Sequence, residues 1–264
     1  MCGIAGYSLS PDSDVDRTLA ARALLAGIAE RGADAVGYAF RAAGEGPASV
    51  HKQRSGASKV LERISVPERA TQVLLHVRDY TKGHPSIAAN NHPVRHGGVV
   101  GIHNGIILND DELLEGHPCA RAEDGMSVDS EAIFALAAHA NGDAKALERL
   151  RGSMATAWLD ERTPDRIYLA RGVGRPLWLG VGAEETFFAS TKVALEVAER
   201  YARVELRKQE LPEGILIVVG DGAVERRERF TPDMSFEEAD PLPAVRAPHE
   251  AAFCLQLLAS FATA

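Results

Sequence analysis

The chain lacks paired cysteines, long apolar runs and an excess of positive charge. Its three cysteines, Cys2, Cys119 and Cys254, lie far apart with no Cys-x-x-Cys pair, which argues against a disulfide framework and a thiolate zinc site. Cysteine chemistry therefore rests on a single thiol. No run of roughly 18 apolar residues is present, and no basic segment followed by an apolar one opens the chain, so neither a membrane span nor a secretory signal is expected and the chain reads as cytoplasmic. Lys and Arg number 29 against 37 Asp and Glu, a formal net charge of -8. Nucleic acid and anionic membranes are bound by clustered cations, so this deficit points instead to small molecules or proteins as partners.

What is present is enough for one sizeable domain: 264 residues, 45% of them hydrophobic, can bury a real core. Apolar or alternating runs at 4–9, 36–40, 73–77, 99–103, 154–159, 167–170, 186–189 and 215–219 predict strands. A first helix is expected from the Asp12 to Asp14 region, with Val15, Leu19, Leu24 or Leu25 and Ile28 at helical spacing, stopping at Gly32. A second begins near Asp129 or Ser130 and ends at Asn141-Gly142, and a third starts at Asp143 and stops at Gly152. Strands, then helices, then strands predict an α+β fold of two antiparallel sheets face to face with helices on their outer faces. Residues 1–230 read as one domain. After Phe230 the proline- and acid-rich TPDMSFEEADPLPAVRAP reads as an extended linker, and HEAAFCLQLLASFA as a helix within 231–264. That helix is apolar around most of its circumference and is expected to be buried, on its own domain or on another chain.

Five stretches carry chemistry. The chain opens MCGIAGYSL, and removal of Met1 would give Cys2 both a thiol and a free α-amine. HVRDYTKG at 76–83 leaves a strand for a loop ending in glycine; its arginine reads either as a solvated strand end or as a fork for a carboxylate. NNHPV at 90–94 reads as irregular loop. In GVVGIHNGIIL, Asn104-Gly105 between apolar runs predicts a tight hairpin turn, and the same two residues offer a side-chain amide and a backbone N–H of the kind an oxyanion hole needs. In SVDSEAIFAL, Asp129 reads as a helix cap or as a carboxylate awaiting an ammonium.

Taken in order, CGIAG, RGADAVG at 31–37, HVRDYTKG, NNHP, HNGIILN and VDSEAI closely resemble the glutaminase domain of the class II glutamine amidotransferases, which are N-terminal nucleophile hydrolases. The likeness extends to ARGVGRPLWLGVG and TFFAST at 170–182 and 186–191, is nearest to the glutaminase half of the glucosamine-6-phosphate synthases, and covers roughly residues 2 to 225. It implies a four-layer αββα sandwich. It implies that Cys2 attacks the side-chain amide of L-glutamine to form a γ-glutamyl thioester, with no metal and no cofactor. A thiol titrating near 8.5 and an α-amine near 7.7–8.0 can exchange a proton at little cost, so the amine serves as base and then as acid. No histidine is then required.

By the same resemblance, Asn104 and Gly105 are oxyanion donors, Arg78 pairs with the α-carboxylate and Asp129 with the α-ammonium of glutamine. Thr81 and Gly83 belong to a loop that closes over the substrate, and His92 falls with this substrate-binding set. Arg31, His76 and His103 are supporting residues. One departure stands out: Asp79 follows the arginine where the family often has an aromatic residue, and its charge is expected to weaken carboxylate capture or tie the loop down. The implied partners are L-glutamine and either a separate ammonia-accepting synthase or a second copy of the chain. Two alternatives remain open: a γ-glutamyl amide hydrolase of the same fold, and a catalytically silent binding module.

Overall fold

Strand β1, Gly3–Leu9, is buried along its whole length because layers cover both of its faces, and its side chains divide between them with period two. Ala5, Tyr7 and Leu9 enter a core shared with the helices, whereas Ile4 enters a core shared with a second sheet. The computed structural model describes residues 1–42, 46–115, 121–140, 142–238 and 243–261. Cys119, Asn141, part of the linker, the last residue of the expected C-terminal helix and the two residues after it lie outside the described residues.

The first sheet also holds β2 (Ala35–Ala42), β3 (Ser49–Gln53), β4 (Ala70–Arg78), β9 (Trp178–Val181), β10 (Glu185–Ala189) and β11 (Arg207–Glu210). Its order is β11-β9-β10-β1-β4-β2-β3. The second sheet holds β5 (Val94–His96), β6 (Val99–Ile107), β7 (Gly152–Asp160), β8 (Arg166–Arg171), β12 (Ile215–Gly220) and β13 (Ala223–Arg229), in the order β13-β12-β8-β7-β6-β5. Adjacent strands in both sheets are antiparallel. Outside the first sheet lie α1 (Arg17–Ile28), α4 (Lys192–Ala202) and α5 (Pro248–Phe261); outside the second lie α2 (Asp110–Glu115) and α3 (Glu131–Ala140). The layers therefore run αββα, as the sequence pattern predicts.

Helix α1 starts later than expected, at Arg17, because Asp16 caps it by accepting the Leu19 amide at 2.9 Å. A short 3₁₀ turn, Ala29–Arg31, then carries the chain to Gly32. The helix expected from Asp143 is only a 3₁₀ segment, Ala144–Arg149, capped by Asp143. Gly152 does not follow it as a stop; it opens β7.

The hairpin expected at Asn104-Gly105 does not form. Strand β6 runs straight through both residues, which pair with Ala155 and Met154 of β7. A nine-residue ladder outweighs a two-residue turn preference, and Gly105 accommodates the strand with φ +149. A Cβ there would lie 2.0 Å from the Ser153 carbonyl oxygen, so only glycine fits.

The C-terminal helix α5 folds onto its own chain. Cys254 and Leu258 are fully buried in the core shared with α1, and the Arg22 guanidinium sits 4.4 Å from the Phe261 ring centroid.

Candidate active site

Register places the nucleophile. Antiparallel pairing of Gly3 with Val77 and of Ala35 with Arg78 brings the N-terminus of β1, the C-terminal end of β4 and the turn before β2 to one end of the first sheet. The sequence folds this way because RGAD allows a close approach. Gly32 has no Cβ to strike the Arg78 carbonyl oxygen, which would be 2.4 Å away. Asp34 then takes the Tyr80 amide on its side chain at 2.9 Å and donates its own amide to Arg78 O at 3.0 Å. Along β4 the inward positions change from Leu74 in the inter-sheet core to His76 and then Arg78. The layer between the sheets is thus apolar in the middle and polar at this end.

A narrow cleft lies there. Cys2, Arg78, Thr81, His92, His103, Gly105 and Asp129 line it, together with Asp79, Tyr80, Lys82, Val128 and Ser130. The remaining sequence candidates, Arg31, His76, Gly83 and Asn104, are not part of this lining but adjoin it. Arg31 donates to Cys2 O at 3.4 Å, His76 stacks on His92 with centroids 4.1 Å apart, and the Gly83 carbonyl accepts from Arg78.

The Cys2 thiol is half-buried and contacts the backbone oxygen of Asp79 at 3.5 Å. Burial pushes it above its ordinary value, so near neutral pH it holds its proton until a base removes it. The three nearby histidines are poor candidates for that base. Burial drives His76 and His103 down to about 3 and His92 well below the ordinary histidine range. His76 and His103 are also engaged: His76 Nε2 bonds to His103 O at 3.0 Å, and His103 Nδ1 to Ser130 Oγ at 2.8 Å.

Arg78 is 2% exposed and donates through Nη1 to Asn91 Oδ1 at 2.7 Å and through Nη2 to Lys82 O at 2.8 Å, besides Gly83 O. The loop is therefore wound around its guanidinium. Asn90 ties NNHP to the other wall by accepting the Ser127 and Val128 amides at 2.7 and 3.1 Å. Asp129, buried, is raised to about 6, chiefly by burial and against a hydrogen bond from the Ile107 amide at 2.7 Å. Its shortest hydrogen bond is thus to β6, with Ser130 Oγ donating to it at 3.5 Å. A buried carboxylate of this kind gains most from a cationic ligand.

Asn104 is 0% exposed, and neither its Nδ2 nor its Oδ1 has a hydrogen-bond partner among the described residues. Buried amides are rarely left so. Beside it, Gly105 lines the cleft.

Other participants were missed from sequence. Lys82 binds Asp110 through both carboxylate oxygens, at 2.8 and 2.7 Å, and Asp111 at 2.8 Å; Arg121 joins Asp110, Asp111 and Glu131 at 3.1, 2.6 and 3.1 Å. This network clamps the loop to α2 and α3. The adjacent acids of NDDEL were its only sequence signal. Asp79 does not approach the Arg78 head group as an acceptor; its carboxylate pairs with the Met1 amine and, at 3.2 Å, with Arg246 Nε.

The fold is that of the N-terminal nucleophile amidotransferases. Residues 76–197 match the family model described as a glutamine amidotransferase domain. A glutamine–fructose-6-phosphate aminotransferase of Escherichia coli O6:H1 is 33% identical over 78% of this chain and 34% of its own length. Its counterpart in Shouchella clausii is 27% identical over 91% of this chain and 41% of its own. Among solved structures, the glutamine PRPP amidotransferase from B. subtilis superposes with a TM-score of 0.64 at 19% identity, covering 86% of this chain and 49% of that one. The chain belongs to the class II glutamine amidotransferases. It spans about a third to two fifths of the length of these curated relatives.

Proposed function

We propose that this chain hydrolyses L-glutamine to glutamate and ammonia through a thioester on Cys2, and that a separate synthase consumes the ammonia. The observation that supports this most directly is the buried carboxamide of Asn104, without a hydrogen-bond partner among the described residues, next to Gly105, at the end of the sheets where Cys2, Arg78 and Asp129 share one cleft. With Met1 removed, the Cys2 amine takes the thiol proton and the sulfur attacks the glutamine side-chain carbonyl. The oxyanion that forms receives the Asn104 Nδ2–H and the Gly105 N–H. Collapse expels ammonia as the ammonium returns a proton, and water then releases glutamate. Arg78 and Asp129 bind the α-carboxylate and α-ammonium, a charge pair that defines a free amino acid. Lys82, on Asp110 and Asp111, holds the loop across the cleft.

The test is labelling with a glutamine analogue that carries an electrophile, followed by peptide mapping. Adduct on Cys2, absent Met1, and loss of glutamate release in Cys2→Ala are expected. Adduct on Cys119 or Cys254 instead, or full activity with Met1 attached, overturns the reading. Faster turnover of γ-glutamyl amides than of glutamine would move the assignment to an amide hydrolase.

A further inference from the structure

We propose that Asp79 is a positioning residue for the N-terminal amine of Cys2, and that Arg246, reaching in from the C-terminal segment, fixes Asp79 and moderates its charge. This rests on the reading that Cys2 is exposed by removal of Met1. The Asp79 carboxylate, 13% exposed, is already the ion-pair partner of the amine one residue upstream, while its backbone oxygen meets Cys2 Sγ at 3.5 Å. Loss of Met1 withdraws the amine by one residue, a Cα spacing of about 3.8 Å. The new amine lies beside the thiol and against the same residue 79. When the amine accepts the thiol proton, an S–H bond breaks, an N–H bond forms, and the carboxylate faces the ammonium as it appears.

Arg246 is placed from outside the catalytic cleft. The backbone amides of Arg246 and Ala247 both donate to Glu30 O at 2.8 Å, next to Arg31, and α5 behind them is anchored by the buried Leu258. Its Nε then lies 3.3 and 3.2 Å from the two Asp79 oxygens. The charged groups around the amine are Arg31 from the turn after α1, Arg78 at the end of β4, Asp79 just past it, Arg246, and Glu238, which also feels the amine's charge but is held bidentately by Arg175 at 2.6 and 2.8 Å. The neighbouring histidines stay neutral throughout the range tested. Asp79 is thus the acid nearest the amine whose charge is shared between it and one exposed arginine.

The experiment is the pH profile of kcat/KM for glutamine between about pH 6.5 and 9, above the Asp129 titration, on the full chain. Asp79→Asn removes a carboxylate that favours the ammonium, so the acid limb should move to lower pH by about one unit, with the plateau reduced several-fold. Arg246→Ala frees the Asp79 charge, and the limb should move the other way by about half a unit. Asp79→Glu should restore most of the wild-type profile. An unmoved limb in Asp79→Asn, or shifts of the same sign in Asp79→Asn and Arg246→Ala, overturns the proposal. If Asp79→Asn does not fold, the upward shift in Arg246→Ala decides alone: present it supports, absent it overturns. Intact mass and Cys2 labelling on each variant separate this failure from failure of the underlying reading, since Cys2 adduct on protein lacking Met1, with limbs unmoved, removes only the role of Asp79.

Discussion

Asn104→Ala separates function from stability more sharply than any other change in the site. An amide buried without partners forgoes its hydrogen bonds to water, at about 1–3 kcal/mol. In this chain both polar atoms of Asn104 are in that position among the described residues, so truncation breaks no hydrogen bond there and removes a liability. Against this stands a small void between the sheets, with a cost of similar size. The two terms nearly cancel, and stability should change by no more than about 1.5 kcal/mol, or about 5 °C in Tm for a chain of this size. Loss of one oxyanion donor, in contrast, lowers kcat by about 10²–10³, equivalent to about 2.7–4 kcal/mol. Because the donor is engaged only when negative charge develops, kcat and kcat/KM should fall together with KM little changed. Asn104→Leu, which refills the volume without a donor, should be as inactive and at least as stable as Asn104→Ala. The assay is glutamate release over a glutamine series, paired with thermal melts of the same preparations. A kcat within threefold of wild type, or a loss of more than about 3 kcal/mol of stability, would refute the reasoning and make Asn104 a structural residue.

How far the sequence reaches can be traced through the same residues. Most inner strands were legible because two covered faces leave continuous apolar runs, as in β4 and β12; the four-residue β9, between β10 and β11, was missed because its WLGV is too short to stand out from the turns around it. Edge strands escaped notice because one side meets solvent: β11 reads RKQE and β13 reads AVERRER, compositions that local reasoning assigns to loops. The Asn104-Gly105 turn failed for the opposite reason, since the local signal is strong and only pairing with β7 overrides it. Site residues on short motifs could be picked out by resemblance, and register on β1, β4 and β6 brings them together. The contacts that hold the loop could not, because Lys82 with Asp110 and Asp79 with Arg246 are separated by 28 and 167 residues. Such pairs leave no periodic trace.

Arg78→Ala should raise the glutamine KM at least tenfold and loosen the loop, since three acceptors lose a charged donor; Arg78→Lys should recover little, because a single ammonium cannot span Asn91, Lys82 and Gly83. Unchanged KM in both variants would detach Arg78 from substrate binding. Leu258→Ala, at a fully buried position of α5, should cost about 2–5 kcal/mol in urea unfolding, and a cost below about 0.5 kcal/mol would show the helix to be undocked in solution. The last expectation concerns Asp129 and pH. Its folded value of about 6 lies above the ordinary 3.8, so between these values the folded chain binds more protons than the unfolded one, and stability falls as pH rises through that window. Binding runs the other way, because an ammonium is held by the carboxylate and not by the acid. The glutamine KM should therefore rise as pH drops below about 6, approaching tenfold per unit, while Asp129→Asn shows a KM that is high and flat across the window and a stability that no longer declines between pH 4 and 6. A wild-type KM that stays constant from pH 7 to 5, measured at each pH on protein shown to be folded, would mean that this carboxylate does not meet the substrate's ammonium.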